Sequence, residues 1–130
     1  NPRKIRDIYG VFRTFPIRVG GNSGDMSKEM SWEEVAKKSG YPKLAEYTTV
    51  TGRLRRVGAW DRNLAESAVR ICGINKPILT FVNYLDSNLE DKTWDEFPEE
   101  IKRTIESMKI MDLDWHAVST SWTGGWSKPN

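Results

Sequence analysis

The 130-residue sequence predicts an α/β fold built around a parallel sheet, and its second half carries most of that expectation. Ile78–Tyr84 is a short run of β-branched and aromatic residues, Pro98–Lys109 aligns Ile101, Ile105 and Met108 at helical spacing, and Trp115–Thr120 is strand-like again. Strand, helix and strand in that order are normally joined as a right-handed parallel crossover. An earlier strand pattern at Ile8–Val19 and a helical pattern after Asp61 extend the same alternation.

Taken in order, Ile8–Val19 mixes apolar residues with Arg13 and Arg18 and reads as a strand interrupted near Pro16 and closed by Gly20 and Gly21. The following GGNSGD lacks the Lys-Ser/Thr of a Walker A loop and does not run straight into a helix, so it reads as a flexible connector rather than a phosphate cradle. Ser31 with Glu34 forms a capping box for a short helix whose apolar side is Trp32, Val35 and Ala36 and which Gly40 ends. Asp61 is placed to cap the next helix. In it, Leu64, Ala68, Val69 and Cys72 recur at helical spacing, which turns Cys72 toward the core, and Gly73 supplies a left-handed stop. Pro98 suits the first helical position of the later helix. Residues 1–121 are expected to form the ordered portion, and residues 122–130, ending in TGGWSKPN, a loosely ordered tail.

Composition narrows the classes of function. A chain of this length suits one domain or part of one. Lys and Arg number 20 against 18 Asp and Glu, so no global field draws the chain to nucleic acid or anionic membrane. Cys72 is the single cysteine, and no stretch resembles a secretory signal or a bilayer span. These features fit a cytoplasmic, reducing compartment. The basic run NPRKIR, starting at Asn1 and leading directly into a strand pattern, reads as a cut rather than a start. His116 has no second His and no Cys at ligand spacing, so it reads as structural and no metal site is expected. The 6 tryptophans are scattered rather than interleaved with basic residues, which suits core or rim packing better than base stacking.

The most specialised stretch is TTVTGRLRRVG at Thr48–Gly58. Thr48, Thr49 and Thr51 supply hydroxyls, Gly52 permits close backbone approach, and Arg53, Arg55 and Arg56 offer planar forks for carboxylate or phosphate. In extended backbone, Arg53 and Arg55 share one side and Leu54 and Arg56 the other, a spacing at which two guanidiniums can clamp a dianion. The bland alternative is a solvated turn carrying surface arginines.

TTVTGRLRRVGAWD resembles the aspartate-binding loop of adenylosuccinate synthetases. The resemblance covers Gly10 to about Ser121: GVFRTFPIRVGG is similar to the family's strand and glycine turn near the nucleotide ribose, ILTFVNYLD to its base-reading strand end, and VSTS to its second base-contacting turn. PIRVGGNSG and FVNYL look more like the phage-type 2-aminoadenylosuccinate synthetases. The resemblance implies the C-terminal part of a mainly parallel-sheet, P-loop-like synthetase fold. It further implies that Thr49, Val50, Thr51, Gly52, Arg53, Leu54 and Arg55 surround L-aspartate, that Arg53 with the backbone of Val19 and Gly20 reaches the purine nucleotide, and that Arg55 lies near the nucleoside triphosphate. Phe81, Val82, Asn83, Ser119, Thr120 and Ser121 fall where the family binds that triphosphate.

The implied reaction condenses aspartate with purine C6, giving adenylosuccinate from IMP or 2-aminoadenylosuccinate from (d)GMP, with GTP or ATP/dATP as donor and Mg²⁺ as cofactor. The family's catalytic Asp and His, its phosphate loop and its Mg²⁺ ligands belong to an N-terminal half absent from these residues, so no catalytic residue is assigned here. The complete enzyme is expected to be a homodimer. At the donor site the family usually has Lys and Asp where this chain has Phe81 and Asn83, which points away from strict guanine selection. A non-catalytic nucleotide- or partner-binding module that keeps the fold is the alternative reading.

Overall fold

The structure is a computed structural model that describes residues 2–121 and 125–129. In chain order, its regular elements are β1 (Tyr9–Arg13), β2 (Ile17–Arg18), β3 (Glu29–Met30), α1 (Trp32–Ser39), β4 (Arg56–Gly58), α2 (Arg62–Cys72), β5 (Lys76–Thr80), α3 (Glu99–Ser107) and β6 (Ala117–Val118). The expected parallel sheet has the order β1-β5-β6, with Gly10 beside Pro77 and Ile78 beside Ala117. A second sheet, β2-β4-β3, is antiparallel.

Strand pattern and strand membership differ at Ile8–Val19. The run splits at Thr14–Pro16, and its halves join different sheets, because Pro16 has no N–H for a continuing ladder. Ile78–Tyr84 also ends sooner than expected. β5 stops at Thr80, Phe81 takes a left-handed backbone (φ 57°), and Val82–Tyr84 form a 3-10 turn. Of Trp115–Thr120, only Ala117–Val118 form a strand.

The helix signals are local and appear as expected. Ser31 and Glu34 exchange both capping-box bonds, and Gly40 closes α1 at φ 84°. Asp61 accepts from the Leu64 amide, and Gly73 stops α2 at φ 67°. Pro98 is the N-cap of α3 rather than its first residue. The inward face of α2 is a correction: Ala65 and Val69 are buried, whereas Leu64 is 61% exposed and Cys72 lies on the outside. Apolar residues occupy more than one face of this helix, and packing selects the seam whose small side chain, Ala65, admits close approach.

The expected loose tail is tied down in part. Ser127 pairs with Val118 through backbone bonds of 2.8 and 3.0 Å, and its hydroxyl accepts from the Trp94 amide. Residues 122–124 and 130 of that tail lie outside the described residues, as does Asn1 of the basic N-terminal run.

Two apolar clusters underlie the sheets. Leu79, Val82, Ile105, Ile110 and Val118, all fully buried, centre the larger one under the parallel sheet. Val35 and Val57 centre the smaller, with Phe15, Trp32 and Tyr84. Trp115 and Trp32 are buried and donate to backbone carbonyls, of Ile105 and Arg55 respectively. His116 sets its ring edge-on to that of Tyr9 at 5.3 Å. Among the described residues no helix is long and apolar enough to cross a membrane.

Candidate functional site

The seam where β1 leaves the parallel sheet and β2 enters the antiparallel one gathers the polar residues. Arg13, Thr80 and Val118 are the last residues of the three parallel strands, so Phe81–Asn83 and Ser119–Ser121 leave from carboxyl ends, where open α/β sheets present ligand-binding loops. Both segments are joined: the Val82 amide donates to the Ser119 carbonyl at 3.1 Å, and the Ser119 amide to the Leu79 carbonyl at 3.0 Å. Thr120 Oγ1 donates to the Lys92 carbonyl at 2.9 Å. Ser119 and Thr120 are therefore buried, while Ser121 is half-buried.

Phe81 holds its left-handed backbone because neighbours grip it. Thr14 Oγ1 donates to the Phe81 carbonyl at 2.7 Å, the ring meets Tyr84 edge-on at 5.1 Å, and the Arg13 guanidinium lies 3.8 Å from the ring centroid. Asn83 is 3% exposed. Its Nδ2 donates to the Tyr41 hydroxyl at 2.8 Å, and that hydroxyl donates to Glu90 Oε2 at 3.0 Å. With its own proton committed to Glu90, Tyr41 can only accept from Asn83, which sets the amide orientation. Burial raises the Tyr41 pKa, Asn83 opposes the shift, and Glu90 adds to it.

The Thr48–Arg53 loop is a closed turn. Gly52 stands at φ 63°, its amide donates to the Thr48 carbonyl, the Thr48 amide donates to the Arg53 carbonyl, and Thr48 Oγ1 accepts from the Arg53 amide. Tyr47 and Leu54 bridge below it. Thr49, Val50 and Thr51 are thereby lifted into solvent, Val50 to 93% exposure. Val19 and Gly20 reach this turn from the other side: a Cβ on Gly20 would lie 2.2 Å from the Leu54 carbonyl oxygen and 3.7 Å from Arg53 Cβ. Two segments more than thirty residues apart in sequence thus meet.

The arginines diverge in role. Arg56 forks onto Glu29 (Nε–Oε2 2.9 Å, Nη2–Oε1 2.6 Å) and donates to the Gly24 carbonyl, so it fastens the antiparallel sheet. That hydrogen bond holds the Glu29 carboxyl below its ordinary pKa. Arg55 turns the opposite way, to Glu46 Oε1 at 3.2 Å. Among the described residues, no side-chain partner engages the Arg53 guanidinium, which is exposed.

The guanidinium that converges with Arg55 is Arg13, through the buried carboxylate of Glu46, which also accepts from the Tyr84 hydroxyl at 2.9 Å. Neither Arg13 nor Glu46 stood out as a site residue in the sequence. The available signals were a lone cation inside GVFRTF and an acid directly before the threonine run. Burial, and secondarily the charge of Glu46, push the Tyr84 hydroxyl pKa up, so it remains a donor. A cleft of about 550 Å³ opens beside the hairpin, lined by Leu54 and Arg55 with Trp32, Tyr41, Lys43 and Tyr47. Among the described residues, no three His, Cys, Asp or Glu gather into a set fit for a cation.

Residues 1–128 match the adenylosuccinate synthetase family. The chain belongs to that family. Adenylosuccinate synthetase of Archaeoglobus fulgidus is 37% identical over 109 residues, which is 83% of this chain and 31% of the relative. That of Methanocaldococcus jannaschii is 38% identical over 124 residues, 95% of this chain and 34% of the relative. The chain therefore spans about a third of the length of these synthetases.

Two solved adenylosuccinate synthetase-type folds superpose on it. The fully ligated Plasmodium falciparum enzyme gives a TM-score of 0.72 at 17% identity, covering 93% of this chain and 39% of that one. Cyanophage S-2L succinoaminodeoxyadenylate synthetase (PurZ), bound to dGMP and to dATP as energy donor, gives 0.63 at 21%, covering 88% and 31%. These structures carry the likeness at the level of fold, including the likeness to a phage enzyme.

Proposed function

We propose that this chain supplies the aspartate- and nucleotide-contacting portion of an adenylosuccinate synthetase-type ligase acting in purine nucleotide biosynthesis. The observation that carries the reading is the approach of Gly20 to Leu54 and Arg53, which sets the glycine turn against the arginine loop within a chain of this family. Thr49–Arg55 then receive L-aspartate, Arg53 with the Val19–Gly20 backbone faces the purine nucleotide, and Arg55 stands between aspartate and the triphosphate. Phe81–Asn83 and Ser119–Ser121 receive the base of the donor.

In the reaction, the purine C6 oxygen takes the γ-phosphoryl group and the nucleoside diphosphate leaves. The aspartate amine then attacks C6 and phosphate departs with its oxygen. Arginine forks aimed at the aspartate carboxylates orient that amine and offset charge. Mg²⁺ would neutralise phosphate charge, and its ligands are assigned with the catalytic Asp and His to the remainder of the enzyme. Such an enzyme works in the cytoplasm as a homodimer.

ATP or dATP is proposed to serve at least as well as GTP. Asn83 spends one Nδ2 hydrogen on Tyr41 and keeps one N–H donor and its carbonyl acceptor, a pair that suits adenine's N1 and 6-amino edge, where a carboxylate could only accept. Initial rates of the complete enzyme with ATP and GTP, for wild type and Asn83→Asp, test the reading. Comparable or faster turnover with ATP is expected, shifting toward GTP in the variant. Strict GTP use by the wild type would rule it out.

A further inference from the structure

We infer that Glu46 is a positioning residue that sets the Arg55 guanidinium for the substrate carboxylate, with Arg13 and Tyr84 as the struts that hold Glu46 in turn. The inference deepens the ligase reading and rests on it. It starts from the saturation of one carboxylate. Glu46 Oε1 accepts from Nη1 of Arg13 and Nη1 of Arg55, each at 3.2 Å, while Oε2 accepts from Arg13 Nη2 and from the Tyr84 hydroxyl. A carboxylate offers about four acceptor sites, so little of it remains for a substrate proton or a cation. Its chemistry is spent on holding its neighbours, which excludes it as the missing base.

The two arginines are held differently. Arg13 places both terminal nitrogens on Glu46 and its face on Phe81, and its Nε is buried with no partner among the described residues. Among the described residues Arg55 uses only Nη1, and its side chain is 29% exposed against 18% for Arg13 and 7% for Glu46. Arg13 is thus the fixed strut and Arg55 the presented fork. Backbone bonds secure the same geometry: the Arg55 amide donates to the Glu46 carbonyl at 2.8 Å, and Trp32 Nε1 to the Arg55 carbonyl at 2.7 Å.

A single carboxylate between two guanidiniums leaves one positive charge uncompensated in a largely buried cluster, and a ligand carboxylate arriving at Arg55 would balance it. Pre-setting Arg55 also spares the ordering cost of a long side chain at the moment of binding.

Steady-state kinetics of the complete enzyme separate this role from a structural one. Glu46→Gln keeps the shape, removes the charge and turns an amide N–H₂ toward an arginine. The expected result is an aspartate KM raised about tenfold or more, the scale of a lost charge-assisted contact. The triphosphate KM and kcat should change far less, and Glu46→Asp should recover part of the loss. Glu66→Gln, at the partly exposed helix pair with Arg70 on α2, should change none of these. Tyr84→Phe removes one strut without touching charge, and about a threefold rise in aspartate KM is expected from it, which gives a reading even if Glu46→Gln does not fold. Unaltered aspartate KM in both Glu46→Gln and Tyr84→Phe, or an equal loss in every kinetic constant, overturns the positioning role while leaving the ligase reading in place. Absence of aspartate-dependent phosphate release by the wild type overturns the ligase reading and this inference together.

Discussion

Arg55 and Arg56 are adjacent in sequence and have opposite surroundings, which makes their replacement by Lys informative. Arg56 is committed to Glu29 and the Gly24 carbonyl through a planar fork that an ammonium cannot reproduce. Arg56→Lys is therefore expected to lower the melting temperature of the complete enzyme with little effect on aspartate KM. Arg55→Lys should do the reverse and raise the aspartate KM several-fold, since Lys offers a point charge where a fork is presented. Equal effects on KM would show that the assignment of Arg55 to substrate and Arg56 to the sheet is wrong. A second consequence of side-chain surroundings concerns the fully buried Ile105 at the centre of the larger cluster. Ile105→Ala should cost about 2 to 5 kcal/mol in denaturant unfolding, because its packed neighbours cannot close the cavity completely.

Helix α2 and the glycine turn each make a claim at the level of an element. Asp61 caps α2, and its pKa is lowered first by the Ser27 hydroxyl and then by the Leu64 amide. A carboxyl whose folded pKa is depressed contributes stability above its unfolded pKa and loses it as pH falls through the folded value. The stability difference between wild type and Asp61→Asn should thus be present at neutral pH and shrink once pH drops below the ordinary aspartate range. Asp61→Ala should cost about 0.5 to 2 kcal/mol at neutral pH; thermal melts across pH check both. At Gly20, an added methyl would sit 2.2 Å from the Leu54 carbonyl oxygen, a contact that backbone must relieve by moving. Gly20→Ala should destabilise by about 1 to 3 kcal/mol and also raise the aspartate KM, because the displaced atoms belong to the arginine loop. A melting loss with wild-type KM would uncouple the turn from the site.

For the molecule as a whole, the two sheets divide the work. The parallel sheet delivers Phe81–Asn83 and Ser119–Ser121 at its carboxyl ends, and the antiparallel sheet carries the arginine loop on the hairpin before β4. Glu46, Arg13 and Tyr84 span the junction and tie the pieces of the proposed site together. The proposed site residues would bind and orient, but the sequence includes no phosphate loop and no assigned base. The purified 130-residue chain is accordingly expected to form neither adenylosuccinate nor its 2-amino analogue, even at substrate concentrations that saturate complete synthetases. Ligase activity in a preparation free of host enzyme would overturn that expectation.

What the sequence determined by itself are the features set within a few residues of chain. The Ser31–Glu34 box, the Asp61 cap, the glycine stops at Gly40 and Gly73 and the Thr48–Arg53 turn each satisfy their own backbone, so short-range chemistry is enough to read them. The parallel pairing of β5 with β6 was also legible, through the helix between them, whereas the place of β1 beside β5 was not. Tertiary structure alone decided which sheet each half of Ile8–Val19 joins, which face of α2 turns inward, and where Phe81 ends β5. It alone brought Arg13, Glu46, Arg55 and Tyr84 to one carboxylate. These residues lie on separate segments, and their pairing follows from burial: once Glu46 is enclosed between the sheets, its charge must find every donor within reach, a requirement that no local pattern expresses.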